Sequence, residues 1–247
     1  MNLKNKIIRI FVVGAIAVSY MFQPTLAENK QFSRPEIELI IRDYLLKNPE
    51  LLIEMSRQLE AKQKALKNSN FSEAVKKLNT ELINGDGAAV MGNPDGKTIV
   101  IEFSDYNCPY CKRMAPMIKQ AIKTNPDLKF VLREFPILGP SSKYASAAAL
   151  AAKMQGKYET AHFALISTKG RLTETRVNKL LAAAGLDMAK LKKDMESPLI
   201  KTVIARNLEI GQMLGINGTP AFIAAEKLFP GALSSEQFSN MVQEAKP

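Results

Sequence analysis

Both cysteines of the chain fall in one tetrapeptide, Cys108-Pro109-Tyr110-Cys111, and its flanks restrict what the chain can be. An apolar run of strand character, Thr98-Ile99-Val100-Ile101-Glu102-Phe103, precedes it. A segment of helical periodicity follows, with Met114, Met117, Ile118, Ala121 and Ile122 spaced for one face. Strand, sharp turn and helix is the context that gives a Cys-x-x-Cys pair chemical meaning. The first sulfur then sits at a helix N-terminus, where unpaired N–H groups and the positive end of the dipole favour a thiolate. The second lies one turn further along and can attack a mixed disulfide formed on the first. Other uses fit worse. A structural disulfide here would close a loop of four residues and add little chain-entropy stabilisation. A zinc site takes about four ligands, and two cysteines with the single distant His162 fall short, so no metal is expected. A c-type haem needs His directly after the second cysteine, where Lys112 stands. The expected chemistry is redox cycling of the cysteine pair, without a cofactor.

The N-terminus reads as a signal peptide. Lys4, Lys6 and Arg9 are a basic start, and Ile10 to Phe22 is an apolar stretch too short to span a bilayer comfortably. Pro24 breaks it, and Thr25-Leu26-Ala27 ends in a small residue, so cleavage after Ala27 is expected. The alternative is an uncleaved anchor. No cysteine closely follows the apolar stretch, which argues against a lipoprotein. Export would deliver the chain to an oxidising compartment, where disulfides form and persist. An exported chain with one close Cys-x-x-Cys reads better as a handler of other proteins' disulfides than as the owner of one.

Charge adds a limit. The chain carries +10, and residues 1–27 contribute three basic groups and no acid. Residues 28–87 hold ten basic against ten acidic groups, so the excess lies on the part that bears the cysteines. It is spread singly or in pairs, and aromatics are 7%, which gives nucleic-acid binding little support. The charge reads as a solvated surface that could favour acidic clients.

Residues 28–34 read as a flexible lead. Pro35 starts a helix with Ile37, Ile40, Ile41, Tyr44 and Leu45 on one face, and Asn48-Pro49-Glu50 restarts it. Leu51, Leu52, Met55, Leu59 and Leu66 carry the period to about Lys67; a third helix is expected from Phe71 to Ile83. Asn84-Gly85-Asp86-Gly87 then reads as a hinge. Short amphipathic helices must bury their faces on the domain or on another chain. Self-association is expected, as a homodimer with a trimer as the alternative, and a chain starting at Ala88 is expected to be monomeric. Ala88–Met91 and Thr98–Phe103 read as strands joined by a Gly-Asn-Pro-Asp-Gly turn, and Leu128–Leu132 as the next strand, parallel to the second. A helical block runs from Gly139 to Gly215, with Ser141/Ser142, Thr173, Asp187 and Ser197 as caps. His162 lies there with a packing role. Thr219-Pro220 enters a short strand, Ala221–Ala224; Leu228-Phe229 and a helix with Phe238, Met241 and Val242 close the chain.

This order resembles the thioredoxin superfamily, and within it the DsbA-like thiol oxidoreductases, over about residues 88–245. The block between the cysteines and Thr219-Pro220 is what plain thioredoxin lacks. The resemblance implies an α/β thioredoxin fold with an inserted helical domain at about 139–214, preceded by an N-terminal helical arm. It implies domains at 1–27 (signal peptide), 28–87 (oligomerisation region) and 88–247. It makes Cys108 the exposed nucleophile, Cys111 the resolving thiol and Cys108–Cys111 the redox-active disulfide. Pro109 and Tyr110 are the intervening pair, Thr219-Pro220 the loop facing the sulfurs, and Glu102 a buried acid relaying protons to the inner thiol. If Glu102 instead sits at a strand edge, it is only a surface residue. The family's best-known oxidases have Pro-His, and Tyr110 cannot carry a positive charge, so Cys108 is expected to be less acidified. The segment Ile41-Arg42-Asp43-Tyr44-Leu45-Leu46-Lys47-Asn48-Pro49-Glu50 is similar to a subgroup with an oligomerisation arm that includes outer-membrane immunogens of intracellular bacteria.

The expected function is periplasmic thiol:disulfide exchange with unfolded or reduced exported proteins, reset by a membrane redox partner, with outer-membrane association left open. A disulfide isomerase or reductase of the same fold is the alternative enzyme. A non-enzymatic surface immunogen or adhesin is the alternative of another class, though intact Cys108-Cys111, Thr219-Pro220 and Glu102 argue against decay.

Overall fold

The computed structural model describes residues 31–247; the expected signal peptide lies outside them. The described residues divide into two units, 31–59 and 60–247. In the first, α1 (Arg34–Lys47) opens on a capping box: Ser33 and Glu36 satisfy each other's free groups, and Pro35 sits in the first turn. No residue of α1 is buried. Its apolar face, with Ile40, Ile41 and Tyr44, lies exposed, as do Leu52 and Leu59 at the start of α2 (Glu50–Asn84).

α2 corrects one expectation. It is one helix of 35 residues, with no break after Lys67. Asn68-Ser69-Asn70 lack Gly and Pro, and their exposed polar side chains lower helix propensity only slightly. Its last turns bury Val75, Leu82 and Ile83 in the core of the second unit, with Ile101, Phe103 and Val131. A chain cut at Ala88 would strip these side chains from that core, so Glu60 is the sounder starting point.

The second unit is built on a five-stranded sheet: β1 (Ala88–Gly92), β2 (Thr98–Ser104), β3 (Leu128–Glu134), β4 (Ala221–Ala224) and β5 (Lys227–Pro230). Their order is β1-β3-β2-β4-β5. The first two strands are not partners: β1 runs antiparallel to β3, and β2 pairs parallel with β3 across the crossover helix α3 (Pro109–Thr124). Gly92 makes the connection feasible, since at φ +76° it suits the turn, and a Cβ there would come 2.6 Å from the Leu128 carbonyl oxygen. The helical block holds α4 (Pro140–Lys153), α5 (Tyr158–Ile166), α6 (Glu174–Ala183), α7 (Met188–Met195) and α8 (Pro198–Met213). α9 (Ser235–Glu244) closes the chain.

Alternation along the strands sorts the core into two layers. Val100, Phe130, Leu132 and Phe222 pack with α3, the helical block and α9. Ile101, Phe103, Val131 and Ile223 pack on the opposite face with the end of α2 and Ile210 and Leu214. Thr173, Asp187 and Ser197 cap their helices as expected. Ser141 and Ser142 do not: α4 begins at Pro140 behind Gly139, and both hydroxyls accept from Asn107 Nδ2, each at 3.1 Å.

Candidate active site: a dithiol at a helix N-terminus

Cys108 is the N-cap of α3, and Pro109 occupies the first helical position, where a missing N–H costs nothing. The turn leading into it is held by Asp105, which is fully buried. Its Oδ1 accepts from the Asn107 N–H at 2.7 Å, its Oδ2 from the Leu138 N–H at 2.9 Å, and its carbonyl from the Cys108 N–H at 3.0 Å. Asn107 then ties this turn to the helical block, donating to the two serines of α4 and accepting from the Leu172 N–H at 2.7 Å. The signal for this bracing is the Asp105-Tyr106-Asn107 run ahead of the cysteine, since Asx side chains bond their own turns.

The structure brings Cys108, Cys111 and Thr219 together; both cysteines are free thiols, and both are buried, so Cys108 is not the exposed sulfur expected: the Thr219-Pro220 loop packs over it. As a thiol, Cys108 donates to the Thr219 carbonyl at 3.1 Å. Thr219-Pro220 is cis, and Pro220 is buried. As a thiolate, Cys108 gains hydrogen bonds from the Cys111 thiol first, then from Thr219 and from the Cys111 and Tyr110 backbone N–H groups; they pull its pKa down to about 5 against its burial. Burial pushes the Cys111 thiol far up, reinforced by its hydrogen bond to Cys108 and by the charge of Glu102. The Tyr110 side chain is exposed, with the Arg113 guanidinium 5.0 Å from its ring centroid. The depression of Cys108 therefore does not depend on a cation at position 110.

Glu102 is buried on β2. Neither carboxyl oxygen has a well-formed hydrogen bond; burial pushes its pKa up to about 8, opposed by the nearby Ser104 hydroxyl and aided by the charges of Glu134 and Cys108. A second buried acid escaped the sequence reading. Glu134 ends β3 opposite Ser104, on the same sheet face as Glu102. Its Oε1 accepts from Tyr106 at 2.9 Å and Tyr158 at 2.6 Å, and its Oε2 from Ser146 at 2.7 Å. Burial raises it to about 7 despite these bonds. His162 is fully buried, and burial lowers its pKa to about 3, so the ring is neutral. Its Nδ1 lies 3.0 Å from the Tyr106 hydroxyl; with that tyrosine's proton committed to Glu134, Nδ1 is the donor. His162 is a packing and bracing residue, as expected. Glu134 stood out less because nothing in its local sequence distinguishes a caged acid from the surface end of a strand. Among the described residues no cluster suits a metal ion.

A reactive thiol capping a crossover helix, backed by a buried thiol and faced by a Thr-Pro loop, defines a thioredoxin-fold dithiol site. Residues 99–243 match the DSBA-like thioredoxin domain, more than half of the chain, and the protein belongs to that family, whose members are thiol–disulfide oxidoreductases. Residues 34–65 match the N-terminal domain of the copper resistance protein ScsC. A thioredoxin-like oxidoreductase from Silicibacter pomeroyi DSS-3 is 42% identical, covering 67% of this chain and 96% of its own, with a TM-score of 0.64. Proteus mirabilis ScsC in a transitional conformation is 28% identical, covering 85% and 95%, with a TM-score of 0.66. The thiol:disulfide interchange protein DsbA of Bordetella parapertussis is 30% identical over 134 residues, 51% of this chain and 63% of that protein. The chain also matches curated Na(+)/H(+) antiporters, such as NhaA 1 of Salinispora arenicola, 24% identical over 66% of this chain, but spans only 25% of that protein's length. No helix among the described residues is long and apolar enough to cross a membrane.

Proposed function

We propose that the protein is an exported thiol:disulfide oxidoreductase that passes its Cys108–Cys111 disulfide to client proteins in the periplasm. The observation that carries this reading is the asymmetry of the two sulfurs: Cys108 low, at about 5, and Cys111 high. In the oxidised protein a client thiolate attacks Cys108 Sγ. The S–S bond breaks, its electron pair goes to Cys111, and a mixed disulfide forms. Cys111 takes up a proton, for which protonated Glu102 is the proposed source. A second client thiolate attacks the client's sulfur and expels Cys108 as a thiolate, a good leaving group at its low pKa. The client gains one disulfide and the protein holds two electrons, to be removed by a membrane redox partner. Pro109 and Tyr110 set the turn between the sulfurs, and Thr219 and Pro220 form the wall against which the mixed disulfide lies.

The basic, apolar leader ending at Ala27 supports export. The exposed apolar residues of α1 and the start of α2, with the ScsC-type match over them, support a homodimer, with a trimer as the alternative. Paired sites would favour isomerisation as a second reading. Two measurements decide. Oxidation of reduced ribonuclease should be lost in Cys108→Ala; comparing it with refolding of scrambled ribonuclease separates oxidase from isomerase, and no activity in either would end the reading. Sedimentation should give a dimer for the mature chain and a monomer for a chain starting at Glu60. A monomeric mature chain would reject self-association.

A further inference from the structure

Beside the sulfurs opens a cavity of about 450 Å³ that the exchange steps leave unused. Asn107, Pro109, Lys112, Leu138, Gly170 and Arg171 line it, so it lies against Pro109, the first of the two residues between the cysteines. No acidic side chain lines it. Asp105 is close enough to act on Lys112, but both its oxygens are engaged by backbone N–H groups of the turn. Lys112 Nζ reaches only carbonyl oxygens, Thr168 at 2.8 Å and Gly170. Burial lowers its pKa, and the charge of Arg176 lowers it further. Arg171 donates through Nε to Ser141 Oγ at 3.1 Å, and its remaining N–H groups find no acceptor among the described residues. Arg176, in the first turn of α6, reaches back to this loop; a Cβ on Gly170 would be 3.8 Å from its Nη1. None of the three cations is in an ion pair among the described residues.

Unpaired cations of one sign around a cleft focus potential and raise the local concentration of opposite charge. A guanidinium with free N–H groups suits a carboxylate, which can accept two parallel bonds. Leu138, exposed on the cavity wall, suits the aliphatic stem of such a side chain. We propose that Lys112, Arg171 and Arg176 form a subsite that receives a carboxylate side chain of the client, so that the favoured substrates are cysteines flanked by acidic residues. This rests on the oxidoreductase reading and names its substrate class.

The test uses the oxidised full chain and three dithiol peptides that differ only in residues flanking the cysteines: glutamates, serines or lysines. Oxidation is followed by stopped flow at low and high salt. At low salt the glutamate peptide should react roughly 10-fold faster than the lysine peptide, and high salt should compress the ratio. In Arg171→Glu/Arg176→Glu the ratio should invert; it is taken within each protein, so a general loss of activity cancels. Equal rates in the wild type, or a ratio untouched by salt and by the double substitution, would remove the subsite and leave the oxidoreductase reading intact. No oxidation of any peptide would overturn both.

Discussion

Two acids lie on one face of the same sheet and live in opposite surroundings. Glu102 lies near the cysteines with the Ser104 hydroxyl beside it, and neither of its oxygens has a well-formed hydrogen bond. Glu134 sits in a cage of three hydroxyls, from Tyr106, Tyr158 and Ser146. Both are proton-rich for carboxyls, at about 8 and about 7, because burial dominates in each. The difference lies in what each holds. Glu102 ties no distant elements together, which suits the proton exchange proposed for it. Glu134 anchors Tyr106 in the active-site turn, Tyr158 in α5 and Ser146 in α4, so it joins the turn to the helical block. A bare buried acid suits proton traffic, whereas a caged one suits architecture.

The sharpest test is the pH dependence of stability in the reduced protein. Glu102 has a folded pKa of about 8 against 4.5 in the unfolded chain, so the folded state keeps the proton longer. Its effect is absent below pH 4.5, and stability falls as pH rises through 4.5 to 8. At about 1.4 kcal/mol for each tenfold change, the upper bound is about 5 kcal/mol. Glu102→Gln should remove that part of the slope in urea unfolding. An unchanged slope would mean that Glu102 is solvated or paired.

Glu134→Leu comes next. It strands the Tyr158 and Ser146 hydroxyls and leaves Tyr106 with His162 alone, at an expected cost of about 3 kcal/mol, since each orphaned group costs roughly 1–3. Glu102→Leu should cost nothing and stabilise the protein at high pH. Equal losses in the two variants would break the contrast.

The kinetic difference should run the other way. Glu102→Gln should slow proton-coupled release of Cys111 roughly 100-fold, the low end of what one general acid contributes, and should erase the rate change near pH 8. Tyr106→Phe, which weakens only the cage, should leave that pH profile in place. A shared loss of the profile would merge the two roles. The smallest effect expected is on stability in Tyr106→Phe, about 1 kcal/mol for one hydrogen bond, read as a lowered urea midpoint.

The Arg171 and Arg176 surface adds a contrast of scale. Glu102 raises the Cys111 thiol from within the core; the proposed subsite acts on the client from outside and is screened by salt.

How much of this was legible in the chain follows from the range of the forces involved. The Cys108-Pro109-Tyr110-Cys111 turn, the strand before it and the helix after it are local: periodicity, a proline at the first helical position and an N-cap act over a few residues. The parallel β2–β3 pairing was legible for the same reason, because a strand–helix–strand segment has few ways to close. The resemblance carried Glu102 and Thr219-Pro220 to the site. Tertiary structure alone decided that β1 pairs with β3 and not β2, since both are short apolar runs and only packing chooses the partner. It also decided that α2 runs unbroken into the core of the second unit, because Val75, Leu82 and Ile83 find cover on a sheet formed far along the chain. The Glu134 cage draws on β3, α4, α5 and the active-site turn. Hydrogen bonds among such distant residues leave no period in the sequence, and the low dielectric that sets their proton affinities exists only after the core has closed.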